Sequence, residues 1–312
     1  MSPQAEVDPA LSVELCGIEL AHPVLNGSGT FDAIAARATF GDALLDAFPF
    51  SAFVSKTITP EPRAGNPPPR LWEASSGLIN SIGLPNKGLD GFLADDLPQL
   101  AELPVPLIVS VMATAADDFV AMCEALDGRE EVAAIELNVS CPNVKSGLIV
   151  GESPAECEAL LSRLRPLTAK PLIAKLTPNV DPVPVAEAAE AAGADALSLI
   201  NTLRASAAAP SGGAWLGAGT GGLSGPAVQP VALAQVTAVA SRTGVPVIGM
   251  GGVSSGEDAV DLLEAGATAI AVGTENFRDP AAGLRIADGI GEGLRSRGIG
   301  SVADLIDGSD RG

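Results

Sequence analysis

The sequence has little of what several enzyme classes need. Its one histidine is His22, so we expect no histidine-rich zinc site, and a Ser-His-Asp triad would have to use that residue. No uninterrupted apolar stretch of roughly 18 residues occurs, which predicts that no segment spans a membrane. The N-terminus has no basic region ahead of an apolar one, so it does not resemble a signal peptide, and we expect a cytoplasmic protein.

Positive charge is also scarce. The chain has 18 Lys and Arg residues against 38 Asp and Glu residues, for a formal net charge of −20. Because phosphate groups are bound by clustered basic residues, this balance disfavours nucleic acid and anionic membranes as partners. The cysteines show no CxxC spacing, so we expect free thiols and no disulfides in a long cytoplasmic chain. They are Cys16, Cys123, Cys141 and Cys157.

Short apolar strands alternate with helix-period stretches along all 312 residues. In "AGADALSLIN" and "AGATAIAVGT", a glycine typical of a helix C-cap directly precedes a strand. About eight such strands predict a (β/α)₈ barrel. A doubly wound sheet is the alternative, but no GxGxxG opens a helix after the first strand. The strand candidates lie near residues 23–26, 51–56, 107–111, 134–138, 172–176, 196–200, 247–250 and 269–273.

The same pattern predicts how the chain is divided. No linker interrupts it, so we expect a single barrel domain over residues 1–312. The stretch "LSVELCGIEL", residues 11–20, predicts a short hairpin that closes the barrel bottom. Residues 205–222 are rich in Gly, Ala, Ser and Pro, which predicts a long loop within the barrel.

Two of the five lysines, Lys56 and Lys175, interrupt apolar strands in "FVSKTI" and "LIAKLT". In a barrel, the residues that end the strands form the active site. An ammonium group in such a place is costly unless it meets an anion or a polar ligand. We therefore interpret both as ligand-binding residues; the alternative is a lysine that extends to a wet barrel mouth.

Glycines follow the last two predicted strands, as Gly251-Gly252 and Gly273-Thr274. Backbone N–H groups approach a phosphate closely where no side chain intrudes, and the last two loops of such barrels often bind one. Each pair is equally typical of a tight turn. Together they predict a phosphorylated ligand.

Amides and one thiol also collect at strand ends. Because each amide offers a planar acceptor and two donors, several together suit a cyclic amide or imide ligand, although any single one is also typical of a turn or cap. Pro142 ends the strand, which places Cys141 in a loop at the barrel mouth, where a thiolate of tuned pKa could serve as a general base. The alternative is a small packed residue, which is our interpretation for the other cysteines. The amides are Asn80, Asn138, Asn143 and Asn201.

Taken in order, the motifs "SKTITPEPRAGNPPPR", "GLINSIGLPNKGL", "ELNVSCPNV", "AKLTPNV", "INTL", "GGLSGPA", "VIGMGGV" and "AVGTENF" resemble the dihydroorotate dehydrogenases. The resemblance runs from about residue 11 to residue 306 and is more specific than any single motif. It implies an FMN-containing barrel enzyme of pyrimidine biosynthesis that converts (S)-dihydroorotate to orotate. It also implies that Cys141 removes the C5 proton while hydride passes from C6 to flavin N5, with Lys175 close to the flavin's N1–C2=O edge.

The resemblance further implies two sets of binding residues. The cofactor set, for FMN, is Ser28, Gly29, Lys56, Thr57, Asn138, Lys175, Ile200, Ser224, Gly225, Gly251, Gly252, Gly273 and Thr274. The substrate set is Lys56, Asn80, Ser81, Ile82, Gly83, Leu84, Asn138, Asn143, Asn201 and Thr202.

Details of the motifs distinguish classes within this family. Membrane-associated, quinone-reducing members have serine as the base, so Cys141 implies the soluble class. "CPNVKSG" and "GGLSGPAVQPVAL" resemble the NAD-linked type, which implies a homodimer of barrels joined by an FAD and 2Fe-2S subunit in a heterotetramer. The sequence departs from the NAD-linked type at two places. Leu148 stands where that type has a second glycine, and residues 203–218 differ throughout. In the second stretch, Trp215 is either a partner contact or a packed loop anchor.

Other functions remain open at this stage. The nearest alternative is the same reaction with fumarate as acceptor in a stand-alone homodimer. A pyrimidine-reducing flavoenzyme is disfavoured because such enzymes tend to have histidine where Asn143 stands. A phosphate-binding barrel lyase without flavin would use Lys56 or Lys175 as a Schiff base. A barrel that serves only for binding would hold FMN without turnover.

Overall fold

The computed structural model describes residues 8–140, 150–210 and 212–309, in which strands and helices alternate. The strands are β1 (Val13–Leu15), β2 (Ile18–Leu20), β3 (Val24–Asn26), β4 (Phe53–Val54), β5 (Leu71–Ala74), β6 (Gly77–Asn80), β7 (Leu107–Val111), β8 (Val132–Asn138), β9 (Leu172–Lys175), β10 (Ala196–Leu199), β11 (Leu203–Ala205), β12 (Gly221–Ser224), β13 (Val247–Met250) and β14 (Ala269–Val272).

The helices lie between these strands and after the last one. They are α1 (Ala33–Phe40), α2 (Ala43–Asp46), α3 (Gly88–Gly91), α4 (Leu97–Leu100), α5 (Ala116–Asp127), α6 (Pro154–Leu164), α7 (Val183–Ala191), α8 (Gln229–Ala240), α9 (Gly256–Glu264), α10 (Ala282–Arg297) and α11 (Val302–Ser309). Short 3₁₀ turns cover Val150–Glu152, Arg165–Leu167, Pro226–Val228 and Thr274–Phe277, and a π-helical turn covers Phe92–Asp96. Within the described ranges, no helix is both long and apolar enough to cross a bilayer.

Eight parallel strands form the barrel, in the order β3-β14-β13-β10-β9-β8-β7-β4. The first and last strands in this order, β3 and β4, close the barrel. Between them, the buried side chain of Asn26 in β3 takes the place of a ladder of backbone hydrogen bonds. Its Nδ2 donates to the carbonyl of Val54 in β4, and its Oδ1 accepts from the Val54 N–H, both at 2.8 Å. The predicted (β/α)₈ architecture is therefore confirmed, and the doubly wound alternative is wrong.

Continuous burial explains why the barrel strands read as unbroken apolar runs. Every residue of β7, β9 and β14 is buried, because the helices cover the outer face of the barrel and side chains fill its interior. The helices begin where the sequence supplies caps. At the start of α9, Ser255 and Asp258 form a reciprocal capping box, and Ser153 caps α6.

The predicted hairpin is present, as the antiparallel pair β1 and β2. It lies against the amino ends of the barrel strands, where the Cys16 thiol donates to the carbonyl of Asp195, just before β10. Leu15 and Leu20 of the hairpin are fully buried. The hairpin therefore closes the bottom of the barrel with apolar side chains.

A second, four-stranded antiparallel sheet, β11-β12-β6-β5, belongs to the loops at the opposite end. The ends of the predicted 205–222 loop are thus strands that pair with each other and with β6. Between them, the ring of Trp215 packs edge-on against Trp72, with centroids 5.2 Å apart, and its Nε1 donates to the Leu71 carbonyl. This is the geometry of a packed loop anchor.

Candidate active site

A cavity of about 1130 Å³ opens at the carboxyl ends of the barrel strands and extends under the four-stranded sheet. Of the predicted cofactor and substrate residues that the structure describes, all except Ser81 line it. Cys141 and Asn143 lie outside the described residues, as does Leu148. The strand-end positions therefore converge on one cavity, as expected for this fold.

Ser81 differs from its neighbours in the substrate set. Its side chain is buried, and its Oγ receives a hydrogen bond of 3.1 Å from Nδ2 of Asn66. Its backbone N–H donates to the carbonyl of Arg70. These bonds join the segment before β5 to the segment after β6. The Ser81 side chain therefore lies beside the cavity but not on its surface. A substrate role for Ser81 stays a prediction.

Two of the predicted amides meet on the cavity floor. Nδ2 of Asn201 lies 3.3 Å from Oδ1 of Asn138 and also donates to the hydroxyl of Ser140. The Ser140 hydroxyl in turn donates to Oδ1 of Asn138 at 3.0 Å. The third described amide, Asn80, is half-buried in β6, where its Nδ2 donates to the carbonyl of Gly222. Together they present planar polar groups to any ligand in the cavity.

The two lysines differ in environment. Lys175 is buried, with its Nζ 3.6 Å from a carboxylate oxygen of Glu136 and 3.0 Å from the hydroxyl of Ser28. Lys56 is exposed at the cavity edge, and within the described parts of the chain its ammonium group has no hydrogen-bond or ion-pair partner. Lys175 is therefore part of an internal ion pair, whereas Lys56 is free to meet a ligand.

Glu136 is a buried acid that the sequence reasoning missed. It lies in β8 and accepts hydrogen bonds from the hydroxyls of Ser110 and Ser198, at 2.8 and 3.2 Å. The signal was available, because a carboxylate inside an apolar strand is as costly as the ammonium groups that drew attention to Lys56 and Lys175. Reading the acid with the same rule predicts an internal ion pair.

The glycines at the ends of β12 and β13 border one side of the cavity. Gly251 and Gly252 have φ angles of 128° and 82°, a region that favours glycine. A Cβ atom on Gly252 would lie 2.4 Å from the Cβ of Gln229, so the turn has no room for a side chain. Beside them, the hydroxyl of Thr274 donates to that of Ser224 at 2.7 Å. Backbone that lines a cavity without side chains, together with paired hydroxyls, fits a phosphate group.

Titratable groups away from the mouth have strongly shifted pKa values. Burial raises the pKa of the Cys16 thiol to about 11, and those of Cys123 and Cys157 to about 12, so these thiols stay protonated near neutral pH. Cys123 and Cys157 are fully buried, which confirms the packed-residue interpretation for them; Cys16 is half-buried.

His22 cannot serve a triad at the mouth. It precedes β3 and therefore lies at the amino end of that strand, with its Nδ1 accepting from the Val24 N–H. Burial lowers its pKa to about 4, although the charge of Asp288 opposes the shift. The imidazole is thus neutral and structural at the barrel bottom.

The size of the cavity is informative as well. Its volume exceeds the roughly 300–1,000 Å³ that is usual for the pocket of one small ligand. It therefore has room for more than one small ligand.

Comparison with known proteins agrees with this geometry. The family model for dihydroorotate dehydrogenase matches residues 10–294. The chain is 46% identical over 301 residues to a protein of Geotalea daltonii named dihydroorotate dehydrogenase B (NAD(+)), catalytic subunit, covering 96% of this chain and 97% of the relative. A Trichlorobacter lovleyi protein of the same name is 44% identical over 304 residues, or 96% and 98% of the two chains.

A third relative carries a different acceptor in its name. The Solibacter usitatus protein, provisionally named dihydroorotate dehydrogenase A (fumarate), is 42% identical over 301 residues, covering 96% of this chain and 98% of the relative. All these matches extend over nearly the whole of both chains. The chain is therefore an oxidoreductase that belongs to the dihydroorotate dehydrogenase family, whose members are flavin-dependent in general.

Proposed function

We propose that this chain oxidises (S)-dihydroorotate to orotate in pyrimidine biosynthesis, as the FMN-containing catalytic subunit of an NAD-linked enzyme. The observation that carries the proposal is the convergence of Asn80, Asn138 and Asn201 with Lys56 on one cavity whose other side consists of glycine turns. Amides and an ammonium group match a cyclic diamide that bears a carboxylate. The whole catalytic unit is the single barrel.

FMN is the cofactor that fits the glycine side. Its phosphate would lie at Gly251-Gly252 and Gly273-Thr274, where the backbone lines the cavity. When bound, FMN supplies the two-electron acceptor that the protein's own side chains lack. Lys175 contributes a buried positive charge at the cavity wall, which favours a ligand that gains negative charge on reduction. The remaining cofactor residues line the same space, including Ser28, Gly29, Thr57, Ile200, Ser224 and Gly225.

The substrate would lie against the amides, in the part of the cavity that Ile82, Gly83, Leu84 and Thr202 also line. Asn138 and Asn201 are bonded to each other through Oδ1 and Nδ2, so their hydrogen-bonding groups are already oriented. Lys56, which has no partner in the described ranges, is suited to the carboxylate. Asn143 completes the set by its place in the motif.

Cys141 is the proposed base that takes the proton from C5. Ser140, the preceding residue in the chain, bonds to both Asn138 and Asn201 on the cavity floor. The only histidine lies at the other end of the barrel, so it offers no competing base. Burial raises the pKa values of the other three thiols to about 11 or 12, which leaves Cys141 as the candidate thiolate.

For the electron acceptor we propose NAD, reached through a separate FAD and 2Fe-2S subunit in a heterotetramer built on a dimer of barrels. The support is the name of the Geotalea and Trichlorobacter relatives, catalytic subunits of an NAD-linked enzyme. Fumarate is the second candidate, because the Solibacter relative carries it in its provisional name. We place the enzyme in the cytoplasm on the strength of its composition.

A Schiff-base lyase is disfavoured at Lys175. Its ammonium group is buried and paired with Glu136, whereas a Schiff-base lysine must present a neutral amine to its substrate. Lys56 would be the nucleophile in that alternative. Colour separates the two functions: a flavoenzyme absorbs visible light as purified, and the lyase does not.

Purification from the native organism tests the proposal. We expect a yellow protein that co-purifies with an iron–sulfur flavoprotein and reduces NAD with dihydroorotate. The isolated barrel subunit should reduce NAD poorly until that partner is added back. Rapid turnover of the isolated barrel with fumarate would instead favour the second candidate, and a colourless protein would contradict the flavin assignment.

A further inference from the structure

A chain of polar groups runs beneath the cavity floor to Glu136. Glu136 is 2% exposed; its carboxylate accepts hydrogen bonds from Ser110 and Ser198 and forms an ion pair with the ammonium group of Lys175. An unpaired carboxylate at this depth is strongly unfavourable, so these three partners explain how the barrel interior tolerates Glu136. They do not account for its presence, because apolar residues would fill a barrel interior at lower cost.

The direction of each hydrogen bond from Glu136 through Ser110 and Thr57 to Asn138 can be deduced. The Ser110 hydroxyl has one proton and donates it to Glu136, so it must accept from the Thr57 hydroxyl, 2.9 Å away. With its own proton committed to Ser110, Thr57 accepts from Nδ2 of Asn138 at 3.2 Å. Glu136 therefore sets the direction of the hydrogen bonds that hold the Nδ2 end of the Asn138 amide, while Ser140 and Asn201 donate to its Oδ1 end.

The same carboxylate holds Lys175. The Nζ atom of Lys175 lies between Glu136, at 3.6 Å, and the Ser28 hydroxyl, at 3.0 Å, and the lysine itself is 4% exposed. A buried ammonium without an anion is as costly as the carboxylate alone. Glu136 thus keeps Lys175 at the cavity wall and offsets part of its charge.

We propose that Glu136 is a positioning residue of the active site, acting on the cofactor through Lys175 and on the substrate through Ser110, Thr57 and Asn138. This role rests on the proposed function. Without the carboxylate, the positive charge of Lys175 is uncompensated and favours the reduced, anionic flavin. Without the hydroxyl chain, the Asn138 amide loses the restraint on its Nδ2 end and binds the pyrimidine ring less well.

The first test compares Glu136→Gln with Glu187→Gln. Both remove one negative charge, but Glu187 lies on the surface, where it pairs with Arg242. Spectroelectrochemistry of the bound flavin measures the effect. We expect Glu136→Gln to favour the reduced flavin by about tenfold, a rise of about 30 mV in a two-electron potential. Glu187→Gln should leave the potential at its wild-type value.

The second test examines the effect on the substrate separately from the effect on the cofactor. It uses variants that leave the charge of Glu136 in place. Ser110→Ala and Ser198→Ala each remove one buried hydroxyl that bonds to Glu136, but only Ser110 is bonded to Thr57. We expect Ser110→Ala to weaken orotate binding by about threefold to tenfold, the value of one hydrogen bond, at an unchanged flavin potential. Ser198→Ala should bind orotate as the wild type does.

The outcomes that overturn this role differ from those that overturn the proposed function. Equal potentials in wild type and Glu136→Gln, each with bound flavin, would exclude the cofactor arm. Equal losses of orotate affinity in the two serine variants would exclude the hydroxyl chain, even if Glu136→Gln failed to fold. A wild-type protein that bound neither flavin nor orotate would overturn the proposed function, and this role with it.

Discussion

The two ends of the barrel strands carry different chemistry. At the carboxyl ends, amides, hydroxyls, glycine turns and Lys56 surround a large cavity. At the amino ends, titratable groups are tied to the backbone: Lys170 donates to two carbonyl groups, and the Cys16 thiol and His22 each make a backbone hydrogen bond.

This difference shows where the chain uses polar residues for stability and where for ligands. At the bottom, Lys170, Cys16 and His22 each have a partner from the protein itself, and burial keeps Cys16 and His22 neutral near neutral pH. At the mouth, polar groups line a cavity that a ligand could enter. Residues of the same type at the two ends should therefore respond differently to substitution, which offers matched pairs for experiment.

The largest effect is expected for the thiols. Cys141→Ala should retain FMN but reduce it with dihydroorotate about 10²–10⁴-fold more slowly, because it removes the general base. Cys16→Ala, at the bottom, should keep the wild-type rate. Anaerobic stopped-flow measurement of flavin bleaching checks both. A normal rate in Cys141→Ala would mean that another group takes the proton.

For the bottom end, the strongest prediction concerns pH. Because burial lowers the folded-state pKa of His22 to about 4, the unfolded chain takes up a proton first as pH falls below its ordinary value of 6.5. His22 then costs about 3 kcal/mol of stability between pH 6.5 and 4. Urea unfolding measures this effect. Between pH 7 and pH 4, the free energy of unfolding of His22→Asn should fall by about 3 kcal/mol less than that of the wild type. Parallel losses in variant and wild type would contradict the buried, neutral imidazole.

The lysines give the next contrast. Lys56→Ala should weaken dihydroorotate binding on the order of tenfold to hundredfold, the value of a hydrogen bond to a charged group, and lower FMN retention. Lys170→Ala should lower the midpoint of thermal unfolding and leave substrate affinity unchanged, because its ammonium group serves the carbonyls of Arg129 and Val132. Titration of flavin reduction measures affinity in each. Unchanged behaviour of Lys56→Ala would mean that this lysine only extends into solvent.

The smallest contrast separates backbone strain from ligand binding. Gly252 and Gly17 have similar φ angles, 82° and 79°, but a Cβ atom meets close neighbours only at Gly252. Alanine at either position should cost about 1 kcal/mol of stability through the left-handed backbone, and at Gly252 the clash with Gln229 should add to that cost. Gly252→Ala alone should also release FMN on gel filtration. Equal FMN retention in the two variants would mean that the phosphate does not bind at this turn.

Much of the fold followed from the sequence because parallel strands are buried on both faces. The predicted strand at 269–273 is observed at 269–272, and that at 134–138 is observed at 132–138. The strand at 51–56 is only Phe53–Val54, because the Asn26 side chain replaces part of its ladder. Such a replacement leaves no periodic trace in a sequence.

The four-stranded sheet over the mouth was not predicted. Its strands are short, contain glycine and pair across long separations, as in the pairing of Gly222 with Asn80. A segment such as Gly221–Ser224 has neither alternation nor length to indicate a strand. Only the folded barrel brings these segments together, so composition alone indicated a loop.

For the candidate site, strand-end positions were informative and interior positions were not. The amides, glycines and lysines after the strands line one cavity, because the carboxyl ends of all barrel strands meet at one face. Ser81 is adjacent to lining residues in sequence, yet its side chain is buried against Asn66. Glu136 lies two residues before Asn138, but its role depends on Ser110 and Ser198 from other strands.

The most direct measurement is an anaerobic titration of the purified protein with (S)-dihydroorotate, following flavin absorbance and orotate formation together. If the cavity holds FMN and the pyrimidine side by side, each equivalent of dihydroorotate should bleach one equivalent of flavin and yield one of orotate. A protein that carries no flavin, or whose flavin stays oxidised while dihydroorotate is unchanged, would contradict the account.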